Sequence, residues 1–180
     1  MGLIIIPVII IIIFAAWGIS TRNRIKMMEV KIDEAKSGID IALIKRYDIL
    51  TESLNIAKGY AAHEKELMVQ LIKARSGMSL QQTQEVMENQ EKALEKLKIV
   101  AEAYPQLYSN NLFKELQEQI AATNEHLSAA KRVLNSNIAL YNQKIISFPA
   151  SMIADAIGCK QVEFFKETDE NKKQDVHMTF

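Results

Sequence analysis

Between Leu3 and Ile19 the chain reads LIIIPVIIIIIFAAWGI, a run without a charge that no other stretch resembles. At the standard helical rise its roughly 17 residues make a helix of about 26 Å, slightly short of a hydrocarbon core of about 30 Å. Arg22, Arg24 and Lys26 come next, and their stems can lie along acyl chains while the charges reach the headgroups. The apolar residues Leu3, Ile4, Ile5, Ile6, Val8, Ile9, Ile10, Ile11, Ile12, Ile13 and Phe14 are expected to form a membrane anchor, with Trp17 at the interface and Pro7 and Gly18 tolerated. A cleaved signal peptide fits less well. Only Met1 and Gly2 precede the run, and Trp17 sits in the one cluster of small residues. Gly2 is a poor acylation site because Ile6 stands where Ser or Thr is needed.

Beyond the anchor the periodicity becomes helical. Ile25, Met28, Ile32, Ala35, Ile39 and Ala42 recur in steps of three and four as far as Arg46. The stripe resumes with Leu50, Leu54, Ala57, Ala61, Met68 and Leu71, which predicts one long helix to about Arg75 whose buried face shifts between Tyr47 and Gly59. Ser76-Gly77-Met78-Ser79 ends it and reverses the chain, Gly77 as a left-handed C-terminal residue and Ser79 with Gln82 as a capping box. The second helix carries Leu80, Met87, Leu94, Leu97, Ala101 and Tyr104, with Thr83 and Gln90 as polar interruptions, and Tyr104-Pro105 stops it. Ser109 or Asn110 can cap a third, striped by Phe113, Leu116, Ile120, Leu127, Ala130, Leu134, Ile138, Tyr141 and Ile145. Ser147-Phe148-Pro149 breaks that helix, and Ala150 to Ile157 reads as a short last one.

The expected fold class is all-α: an antiparallel helical bundle of long helices with an N-terminal transmembrane helix. The divisions are 1–22 anchor, 23–165 bundle, and 166–180 a polar tail too poor in apolar residues to order.

Composition narrows the function. Twenty-two basic residues balance 22 acidic ones, so no nucleic-acid surface is expected. The single Cys159 cannot form an intrachain disulfide and is read as a small apolar residue. Charge asymmetry places the Arg22, Arg24 and Lys26 side in the cytoplasm and translocates the N-terminus.

Catalytic constellations are missing. His63-Glu64 opens like HExxH, but position 67 is Leu67, and no Glu stands three residues before His63, His126 or His177. His63 reads as a hydrogen-bonding residue, and no cofactor or metal is expected. The Lys45-Arg46 and Lys131-Arg132 pairs read as solvated helix faces, with a salt bridge to a bundle carboxylate as the alternative. The eight methionines are mostly core filler.

Three segments in order carry a family resemblance. The first is Lys58-Gly59-Tyr60-Ala61-Ala62-His63-Glu64, continuing to Arg75; the second is Glu102-Ala103-Tyr104-Pro105 with Phe113. The third runs from Asn124-Glu125 through Tyr141-Asn142 to Phe148-Pro149. Together, over about Ile32 to Phe165, they resemble the LemA family, bacterial proteins with one N-terminal membrane helix and a cytoplasmic helical bundle. The chain departs from the pattern at Leu50-Thr51-Glu52, Leu134, Lys131 and Cys159, changes that bear on packing.

The resemblance implies a bacterial inner membrane, a single pass and no established enzymatic activity. It leaves a membrane-tethered interaction module as the first expectation and a self-associating membrane organiser as the second. The expected partners are the lipid bilayer and a membrane or cytoplasmic protein, with a homo-oligomer as the alternative.

Overall fold

The computed structural model describes the backbone of residues 2–61 and 70–166 and the side chains from Ile5 onward within those ranges. His63, Glu64, Met68, His177 and nearly all of the expected tail lie outside the described residues, as do the side chains of Leu3 and Ile4.

Five helices succeed one another among the described residues: α1 (Gly2–Tyr60), α2 (Leu80–Ala103), α3 (Pro105–Tyr108), α4 (Asn111–Ile146) and α5 (Ala150–Ala156). No strand occurs among the described residues. The all-α bundle read from the periodicity is what forms. Its helix starts are set by local chemistry. Ser79 and Gln82 make the reciprocal capping box that opens α2, Pro105 occupies the first turn of α3, and the Asn110 carboxamide accepts from the Phe113 N–H at 3.0 Å.

The chain divides into two compact units, 1–39 with 127–164, and 40–126 with 165–180. In the first, Ile25, Ile32, Ala35 and Ile39 of α1 are buried, as are Leu127, Leu134, Ile138, Tyr141 and Ile145 of α4. The Asn137 carboxamide donates to the Lys31 carbonyl at 3.0 Å.

The second unit is built on a cluster of Ile49, Leu50, Leu54, Ala57 and Ala61 with Leu97, Val100, Leu107, Phe113, Leu116 and Ile120. Burying each large side chain contributes about 1.5–3 kcal/mol before ordering costs. Here α2 runs in the same direction as α1. Gly77 N–H donates to Asp40 Oδ2 (2.8 Å) and Gln90 Nε2 to the Leu43 carbonyl (3.0 Å), while Leu97 and Val100 join the residues beyond Ile49.

Between α1 and α2 the chain therefore comes back and then reverses again, the second time at Ser76–Ser79, where the sequence predicts a reversal. Gln70–Ser79, expected in part to be helical, is non-helical and lies along α2: Asn89 accepts from the Ile72 N–H (2.8 Å) and donates to the Gln70 carbonyl (3.1 Å). Gly77 takes φ +75° there. Asn110 donates to the Tyr60 hydroxyl at 3.0 Å, so α4 starts beside the end of α1 and runs back against it.

Two stripe expectations are corrected. The buried face of α1 does not shift: Arg46, Ile49, Leu50, Ser53, Leu54 and Ala57 continue the three-and-four step. On α2 the buried line is Thr83, Val86, Gln90, Ala93, Leu97 and Val100, with Leu80, Met87 and Leu94 at its margin. The polar residues are the core line.

Candidate functional site

The apolar run of α1 is bare. Ile5, Ile6, Val8 to Ile13 and Phe14 are exposed, and Trp17 is half-exposed. Among the described residues α1 is the one helix long and apolar enough to cross a membrane, and it lies near the N-terminus. Within this chain the run is therefore not a core helix. Past the run, one face becomes covered: Gly18 is half-buried, and Thr21 and Ile25 are buried. A methyl placed on Gly18 would lie 3.6 Å from Cδ1 of Ile153, so α5 sits beside the end of the uncharged run. The other face carries a shallow open hollow lined by Ala16, Ile19, Ser20, Asn23, Arg24 and Met27.

One turn further on, the same unit holds a polar cluster. Lys26 Nζ contacts Glu29 Oε2 at 2.8 Å, and the hydrogen bond and charge of that carboxylate raise the lysine pKa. Glu29 Oε1 accepts from the half-buried Cys159 thiol at 3.8 Å, so Cys159 is a hydrogen-bonding thiol and not merely apolar filler. Burial, reinforced by the neighbouring Cys159 thiol and Glu29 carboxylate, pushes the Tyr141 hydroxyl well above the ordinary tyrosine value of 10.0. Next to it, Asn142 donates to the Val162 carbonyl (2.8 Å) and accepts from the Val162 N–H (2.9 Å). That pair holds the segment after α5 along α4.

The second unit has a buried polar line of its own. Arg46, 2% exposed, reaches Glu91 with Nη2–Oε2 at 2.6 Å, so of the two expectations for it the salt bridge to a bundle carboxylate is the one that forms, and the solvated face is not. Asp40 on α1 and Gln90 on α2 are buried as well, and Asp40 Oδ1, Arg46 Nε and Gln90 Oε1 have no hydrogen-bond partner. These groups fix helices against one another. No group of three or more His, Cys, Asp or Glu side chains among the described residues could hold a metal ion.

Comparison with known proteins places this architecture. The family model for the LemA family matches residues 35–180. The chain belongs to the LemA family. It is also 28% identical, over 75 residues, to the magnetosome protein MamQ of Magnetospirillum gryphiswaldense. That stretch is 42% of this chain and 28% of the relative, so the chain spans less than a third of that protein.

The LemA motif residues serve several separate structural roles. Tyr60 meets Asn110, and Tyr104 and Pro105 form the joint between α2 and α3. Phe113 is in the core of the second unit, while Gly59, Arg75 and Glu125 are exposed. Tyr141 and Asn142 lie on α4 in the first unit, and Phe148 and Pro149, joined by a cis peptide, turn the chain into α5. Arg22, Arg24 and Lys26 are exposed on α1.

Reading the LemA sequence for chemistry misses Glu29, Asp40, Gln90 and Glu91. The available signal is spacing: Arg46 and Gln90 stand where the stripes require a buried residue.

Proposed function

We propose that this LemA protein is a non-enzymatic interaction module held at the cytoplasmic face of a membrane by a single pass of α1. The observation that carries the reading is the exposure of the apolar run from Ile5 to Ile19 on the same helix that supplies buried stripe residues from Ile25 onward. Bilayer takes the place of protein around the run, and the basic Arg22 and Arg24 favour the cytoplasmic side for the bundle. Support for a non-catalytic role comes from the structural pairings of the buried polar groups: Asp40 holds the Gly77 turn, Arg46 bridges to Glu91, and Gln90 bonds the Leu43 carbonyl. Tethering raises the effective concentration of the bundle toward partners at the same surface.

A photocrosslinker at the exposed Ile99, introduced into the full chain in intact membranes, tests this reading. One recurrent partner, lost when a neighbouring exposed side chain is changed to Glu, supports it. Turnover of a substrate by the purified chain, abolished by one substitution that leaves the fold intact, overturns it.

A second reading, a self-associating protein that organises membrane, is favoured by the exposed Val133 and Leu140, seven residues apart on one face of α4. Kinship with a protein named for the magnetosome is compatible with it. Capture of only other copies of the chain would move the conclusion there.

A further inference from the structure

We infer that the corner formed by Ile146, Phe148 and Met152 is seated in the membrane interface beside the anchor, giving this chain a second point of contact with lipid. The inference rests on the reading of α1 as a membrane anchor and adds a site to it.

The level of the corner is set inside one unit. Ile153 of α5 lies against Gly18, the penultimate residue of the uncharged run. The first charge, Arg22, comes four residues later, about 6 Å along the axis at the standard rise. A helix held at Gly18 is therefore level with the boundary between acyl chains and headgroups. Interfacial helices sink to about 5–10 Å at that boundary.

The side chains at the corner suit that place. Ala150 and Ala154, four apart, are buried and allow α5 to approach closely, while Met152 on the opposite side is 63% exposed. Phe148 is 81% exposed and Ile146 60%. Single exposed apolar residues are ordinary. Three large ones at a single corner, level with a bare apolar helix, continue the surface that the bilayer already covers. Lys144 and Lys160 flank the corner in sequence as Arg22 and Arg24 flank the run, which suits an anionic headgroup layer.

The test uses the full chain in vesicles of zwitterionic and anionic phospholipid whose acyl chains carry bromine either near the headgroup or near the terminus. Trp17 is the only native tryptophan and reports the anchor. In a Trp17→Phe background, Phe148→Trp reports the corner and Val133→Trp reports a position about 20 Å back along α4.

The expected result is that the Phe148→Trp chain emits to the blue, loses most of its emission to shallow bromines and less to deep ones, and is shielded from aqueous iodide. The Val133→Trp chain should be quenched by iodide and untouched by bromine. If Trp17 is quenched by bromine while the Phe148→Trp reporter is open to iodide, the anchor stands and the corner proposal is overturned. Failure of both to respond to bromine overturns the anchor reading as well. Shielding of the Phe148→Trp reporter from iodide without bromine quenching assigns the corner to a protein contact and also overturns the proposal.

Discussion

Among the described residues, the unit made from 1–39 and 127–164 buries one polar side chain fully, Thr21, apart from the Tyr141 hydroxyl. The unit made from 40–126 buries Asp40, Arg46, Ser53, Thr83, Gln90 and Thr123. The difference concerns register. An apolar stripe can slide by a turn and still find apolar neighbours. A buried guanidinium or carboxamide has one set of partners, and sliding unpairs it. The unit in which a non-helical return segment must lie along α2 is also the unit whose helices are pinned by polar contacts.

Five substitutions at four sites in the full chain, read by denaturation in mild detergent, sharpen or break that contrast. The largest effect is expected for Arg46→Ala, which loses a buried side chain at a cost of about 2–3 kcal/mol, most of it packing because Glu91 is exposed. Arg46→Met should recover most of it, because packing is restored and the half-exposed Glu91 can turn to solvent. A methionine variant as unstable as the alanine one would mean that pairing dominates packing. In the other unit, Asn142→Ala removes both bonds to Val162 and should cost about 2 kcal/mol. Amide exchange of the segment around Val162 should accelerate while α4 stays protected.

Gly77→Ala strains a positive-φ residue in the turn that Asp40 holds, and a loss of about 1 kcal/mol is expected, read from the thermal midpoint. The smallest effect is conditional on pH. The folded pKa of Tyr141 lies above its unfolded value, so the folded state keeps a proton that the unfolded state has released. Its contribution is full below pH 10.0 and declines as pH rises from there through the folded pKa. Tyr141→Phe should flatten the alkaline fall in stability, and an unchanged slope would assign that fall to other groups.

Much of this architecture is legible in the residues. The uncharged run, the Ser79 cap, the Tyr104-Pro105 stop and the break at Ser147-Phe148-Pro149 each act through local backbone chemistry, and each lies where the sequence puts it. The α4 stripe is equally plain because Phe113, Leu116, Ile120, Leu127, Leu134 and Ile138 are apolar. The α2 stripe is hidden because Thr83 and Gln90 look like interruptions unless spacing outweighs polarity. Arg46 is hidden for the same reason.

The course of Gln70–Ser79 depends on distant groups, Asn89 and Asp40, and no periodicity announces a segment held by side-chain bonds to backbone. The Tyr141, Cys159 and Glu29 neighbourhood brings together residues more than a hundred positions apart, beyond the reach of local pattern.

α1 passes from its uncharged run into the buried stripe without a break, and α5 is docked against it at Gly18. The azimuth of the run is thereby keyed to α4 and α5 of its own unit. The run cannot turn about its own axis independently of α4 and α5, so the flank of the helix at Gly18 stays against α5 and the shallow hollow from Ala16 to Met27 stays on the face away from it.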